Sequence, residues 1–149
     1  MSASRAKKLA PVVEMAERAE REAALQLGHL QGLLGQAEAK LGELERFRGD
    51  YQQQWMTQGQ LGVSGQWLIN YQRFLSQLEV AVGQQRQSIQ WHQVNLDKGR
   101  ATWQERYARL EGLRKLVQRY LDEAQRLEDK REQKLLDELS QRLRGSDNF

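Results

Sequence analysis

Few residues in this chain have the type and spacing that chemistry needs. His29 and His92 are the only imidazoles; a hairpin fold would bring them near one another, but two imidazoles without a carboxylate set make a poor metal site. Gly59, Gly62 and Gly65 punctuate Thr57-Gln58-Gly59-Gln60-Leu61-Gly62-Val63-Ser64-Gly65 without the following Lys-Ser/Thr of a phosphate-binding loop. Neither a nucleophile-elbow pattern nor a zincin helix is present. The sequence contains no cysteine, which excludes a disulfide scaffold, a cysteine zinc site and a cysteine nucleophile, and is compatible with a reducing cytosol. These features predict a non-enzymatic protein without catalytic residues, metal or cofactor.

The elements that would have to position any site are two apolar ladders. Steps alternating four and three run through Leu9, Val13, Ala16, Glu20, Ala23, Leu27, Leu30, Leu34, Ala37, Leu41, Leu44, Arg48, Tyr51 and Trp55. After the glycine-rich stretch the pattern restarts at Leu68, Tyr71, Leu75, Leu78 and Val82, and continues to Ala124 and Leu127. A seam kept over this many heptads marks a coiled coil. The predicted fold is all-α: one long antiparallel two-helix coiled-coil hairpin, a single domain over 1–149, with helix one at about 5–56, a turn at about 57–65 and helix two at about 66–144. Ser4 reads as the first cap, Pro11 as a first-turn residue and Ser64 as the second cap. A rod of this kind offers one thin dry seam and no pocket.

Folding about Leu61 places Leu9 near Leu113, so helix two outruns helix one. The segment from about Val117 onward then overhangs, yet still carries Tyr120, Leu127, Leu135, Leu136, Leu139 and Leu143. Either a partner's groove receives this amphipathic stretch, or N-terminal residues cover part of it. Gln85, His92, Gly99 and Arg106 interrupt the seam of helix two and are expected opposite Ala37, Leu30, Ala23 and Ala16, where long polar stems can cross to water and fix register. Gly28, Gly35, Gly42 and Gly49 recur at a strict seven-residue spacing; a bare strip for a partner and drift at exposed sites are both open readings. Phe47 and Phe74 step off the seam, with Leu78 and Ala81, onto a flanking face: core shielding is one reading, a binding patch the other.

The charge is nearly balanced, 23 basic against 20 acidic residues. Mixed runs such as Arg126-Leu127-Glu128-Asp129-Lys130-Arg131-Glu132 look like solvated faces rather than a phosphate-binding stripe, so no nucleic-acid partner is expected. The N-terminus lacks the apolar core of a secretion signal, and no run approaches a membrane span, which predicts a cytoplasmic protein.

Ile69-Asn70-Tyr71-Gln72-Arg73-Phe74 followed by Leu78-Glu79, and Gln36-Ala37-Glu38 with Leu41 and Tyr51 downstream, resemble the FliJ family of the bacterial flagellar type III export apparatus. Size, unequal helices and the position of the glycine-containing turn match as well. The resemblance implies a coiled coil similar to the central stalk of rotary ATPases. It also implies an adaptor that binds the export ATPase and its regulator, the membrane export gate protein FlhA and export chaperones. Peripheral association at the inner face of the cell membrane, and a role in flagellum biogenesis and motility, follow from it. A more general chaperone or escort for flagellar export substrates is the alternative. Carried over residue by residue, the gate-binding surface falls on Leu44, Phe47, Tyr51, Phe74, Leu78 and Ala81, with Lys40 and Gln85 departing from the family's pattern at its margins. The ATPase would face the stalk end, at Val117, Tyr120 and Leu127.

Overall fold

The computed structural model describes residues 1–147. Two helices, α1 (Ser2–Leu61) and α2 (Gly65–Asp147), account for nearly all of them and pack antiparallel as a helical hairpin. Their join is short because its residues suit it. Gly62 takes φ +84°, a left-handed conformation that ends α1 at little cost only for glycine. Its N–H reaches the Gly59 carbonyl at 3.4 Å. Ser64 then caps α2 as its sequence predicts: its Oγ accepts from the Trp67 N–H at 3.1 Å, and its carbonyl accepts from the Leu68 N–H at 3.1 Å.

The start of α1 differs from expectation. Arg5 N–H donates to the Met1 carbonyl at 3.0 Å, so the helix begins ahead of Ser4, which sits inside the first turn rather than capping it. Pro11 is therefore well within the helix. Proline has no N–H to give the Lys7 carbonyl and crowds the preceding turn; Lys7 is exposed, so water can donate to that carbonyl in place of the missing N–H. Pro11→Ala is expected to raise the unfolding free energy by about 1–3 kcal/mol, read as a higher urea midpoint. An unchanged midpoint would mean the turn has already relaxed around the ring.

The described residues cluster as two compact units, one of residues 1–22 with 104–147 and one of Ala23–Trp103. In the second unit the dry seam is built from Ala23, Ala37, Tyr71, Leu78, Val82 and Leu96. All six lie on the predicted ladders, and Val82 is the most completely buried, at 1% exposure. Gln85 crosses this seam as anticipated, its Nε2 donating to the Ala37 carbonyl at 2.9 Å. Gly99 lies against Leu30 and Leu27 rather than Ala23: a Cβ built on it would come within 2.5 Å of Leu30 Cδ1. An exposed ion pair, Arg86–Glu45 at 3.2 Å, spans the helices and contributes at most about 1 kcal/mol.

In the first unit Ala6, Ala16 and Leu110 are buried. Ser2 and Ala6 extend the ladder beyond Leu9 by the same four-three steps, and Ser2 Oγ donates to a Glu123 carboxylate oxygen at 2.9 Å. The first turn of α1 has no acidic residue of its own, so Glu123 supplies the negative charge that its N-terminal dipole favours. As a result, Val117, Tyr120 and Ala124 are half-buried, and uninterrupted exposure begins at Gln125 rather than after Val117. The reason is the added N-terminal turns of α1.

Candidate partner-binding surfaces

Beside the turn, five rings from both helices stack into a ladder. Trp67 lies 5.8 Å from Trp55 and 5.3 Å from Tyr71. Trp55 and Tyr71 are 5.1 Å apart, and Tyr51 lies parallel to Tyr71 at 4.8 Å. Phe74 closes the series, tilted on Tyr51 at 4.6 Å. Such arrangements contribute ~0.5–1.5 kcal/mol per pair beyond the area they bury. Tyr71 is 6% exposed, and its phenol is pushed above the ordinary tyrosine value, first by burial and then by the neighbouring Tyr51. The inner rings are thus structural. Phe47 and Phe74 are not hidden by them: they are 64% and 43% exposed. A shallow depression beside Phe47 is lined by Glu43, Arg46 and Asp50, which surrounds an apolar anchor with charge.

In the unit of residues 1–22 with 104–147, the Arg5 guanidinium lies 5.8 Å from the centre of the Tyr120 ring, within reach of a cation–π attraction. Arg114 bridges Glu111 at 3.1 Å and Glu17 at 3.5 Å. Ser2, Glu123, Arg126, Leu127 and Lys130 line a depression where the pairing with α1 ends. Beyond it every side chain through Ser146 is exposed, including Leu135, Leu136, Leu139 and Leu143. No group of three or more His, Cys, Asp or Glu among the described residues could hold a metal ion, and no described helix is long and apolar enough to cross a membrane.

A family model described as Flagellar FliJ protein matches residues 5–147. The chain belongs to the flagellar FliJ family. It is 33% identical over 135 residues to the Flagellar FliJ protein of Escherichia coli (strain K12), covering 90% of this chain and 91% of that protein. It is likewise 33% identical over 130 residues to the Flagellar FliJ protein of Salmonella typhi, covering 87% of this chain and 88% of that one.

The residues picked out from the FliJ resemblance fall in three environments. Phe47 and Phe74 are exposed; Leu44, Tyr51 and Ala81 are half-buried; Leu78, at 9% exposure, is in the seam. At the other end Val117 and Tyr120 are half-buried, whereas Leu127 is 51% exposed. His92 turned out to be the least settled of the polar seam residues: its Nδ1 is buried without a hydrogen-bond partner, and its ring meets Trp91 edge-on at 5.1 Å. On the outer face of α2, Val80, Trp91 and Val94 are more than half exposed. Their signal was present as helical spacing on the side opposite the seam, but the stronger seam periodicity masks it.

Proposed function

We propose that this FliJ-family chain is a non-enzymatic adaptor of the bacterial flagellar type III export apparatus, working at the cytoplasmic face of the membrane. Its face beside the turn engages the export gate FlhA. Its other end, with Leu127 and the exposed leucines that follow, engages the export ATPase and its regulator, and export chaperones are further clients. The observation that carries this reading is the pair of exposed rings, Phe47 and Phe74, at the positions where the family's gate surface maps. Rings left 64% and 43% exposed beside stacked, buried neighbours are available as interface anchors. Leu44, Tyr51 and Ala81 flank the anchors, and Leu78 supports them from the seam. Coupling of events at the ATPase to the gate is part of this reading.

Binding of the purified gate's cytoplasmic domain tests this. Phe47→Ala combined with Phe74→Ala is expected to weaken it at least tenfold, about 1.4 kcal/mol, with helicity by circular dichroism unchanged. Wild-type affinity in the double variant would remove the gate assignment.

A further inference from the structure

The outer face of α2 within Ala23–Trp103 carries a second stripe that the gate surface does not use. Ile69, Arg73, Val80, Trp91, Val94 and Lys98 recur at spacings of four, seven, eleven, three and four, which keeps them on one side of the helix. That side faces away from the seam residues Val82 and Leu96. Its apolar members are all exposed: Ile69 52%, Val80 57%, Trp91 63% and Val94 51%. Gln84 and Gln87 lie among them and add hydrogen-bonding groups without charge. Arg73 and Lys98 flank Val80, Trp91 and Val94, with Ile69 one turn beyond Arg73, and neither cation enters any of the ion pairs among the described residues. Glu79 sits on the flank of the stripe. Asp97, four heptads after Ile69, is the carboxylate on this side, and it is engaged by Arg100 at 3.9 Å rather than by Lys98.

We infer that this face docks an amphipathic helix of a partner protein whose apolar side is bounded at both ends by carboxylates. The charge pattern selects this occupant over a second copy of the chain. An antiparallel pair of such faces would set Arg73 of each copy against Lys98 of the other; a parallel pair would set Arg73 on Arg73. Either arrangement brings like charges together, whereas acidic residues spaced about 37 Å apart along a partner helix would meet both cations. The contact area agrees. Four partly exposed apolar side chains offer roughly half of the ~800 Å² per partner of a standard interface, enough for one helix laid on another but not for a stable dimer. Trp91 is the main anchor, being the largest and most exposed apolar side chain of the stripe.

The test uses the full chain and synthetic helical peptides of about 28 residues, long enough to reach from Arg73 to Lys98. All carry one leucine stripe; one peptide has glutamates at both ends and another has lysines. Fluorescence anisotropy of the labelled peptides should show the glutamate peptide binding at least tenfold tighter at low salt, with the difference shrinking as salt is added. Trp91→Ala with Val94→Ala should lose at least tenfold of that affinity. Arg73→Glu with Lys98→Glu, a change confined to exposed positions, should reverse the preference towards the lysine peptide. Phe47→Ala with Phe74→Ala should change nothing. Equal binding of both peptides, or binding indifferent to Trp91 and Val94, would overturn the proposal. So would sedimentation showing self-association of the chain that Trp91→Ala abolishes, because a second copy would then cover the face.

Discussion

Replacing Gly28, Gly35, Gly42 and Gly49 together with alanine is expected to raise the unfolding free energy by about 3–4 kcal/mol, at close to 1 kcal/mol per site. Each glycine sits within α1, one position after a seam residue, in a helical backbone that alanine adopts without strain. A Cβ added at any of the four meets nothing within 4 Å, so no packing cost offsets the gain in helix propensity. The sites are two turns apart and share no partner, which favours additivity. Gly99 supplies the control. Its Cβ would press on Leu30 Cδ1, so Gly99→Ala should gain less than any of the four or lose stability, depending on how far Leu30 can rotate. Urea denaturation of the quadruple and single variants reads both effects. No gain in the quadruple variant would show that α1 owes its persistence to something other than its own backbone preference.

Those glycines also show where the sequence is informative. The heptad series alone was enough to derive the hairpin, because a seam residue announces itself by type and spacing together: Ala16, Ala23, Ala37, Val82, Leu96 and Leu110 are all on the ladders, and all are buried. Ser64 was legible for the same reason, a cap being a local event. The start of α1 was not. Ser2 is polar and Ala6 is a lone alanine between Arg5 and Lys7, with no leucine N-terminal to it to mark the series, so the visible ladder begins at Leu9 and places the unpaired stretch of α2 from about Val117. Contacts across the helices, Ser2 with Glu123 and Arg5 with Tyr120, move that boundary to Gln125. Exposure within the aromatic cluster was legible in part. The ladder holds Tyr71 and leaves Phe74 off it, in keeping with their burial and exposure, whereas Trp55, also on the ladder, stays 37% exposed beside the turn.

The ring stack beside the turn sets up the second large effect. Tyr71→Ala is expected to cost about 3–5 kcal/mol, the range for removing a buried aromatic side chain. Its ring touches Tyr51, Trp55 and Trp67 at once, and a two-helix seam has no third layer to collapse into the space. Tyr71→Phe keeps the ring and should retain most of the stability at neutral pH. The two variants separate further in alkali. Because the folded-state value of the Tyr71 phenol is raised above the unfolded one, the wild type keeps the full contribution of this group below pH about 10 and loses it as pH rises through the folded-state value. Tyr71→Phe should therefore decline less steeply above pH about 10 than the wild type. Equal alkaline slopes would mean the phenol keeps its contact with water. The effect also reaches the proposed gate surface. Tyr51 is stacked on Tyr71 and carries Phe74 on its other side, so Tyr71→Ala removes the platform that holds an exposed anchor in place. Tyr71→Ala should then weaken gate binding even under conditions where the hairpin remains folded, while Tyr71→Phe should not. An affinity unchanged in Tyr71→Ala would show that Phe74 reaches its partner without support from the stack.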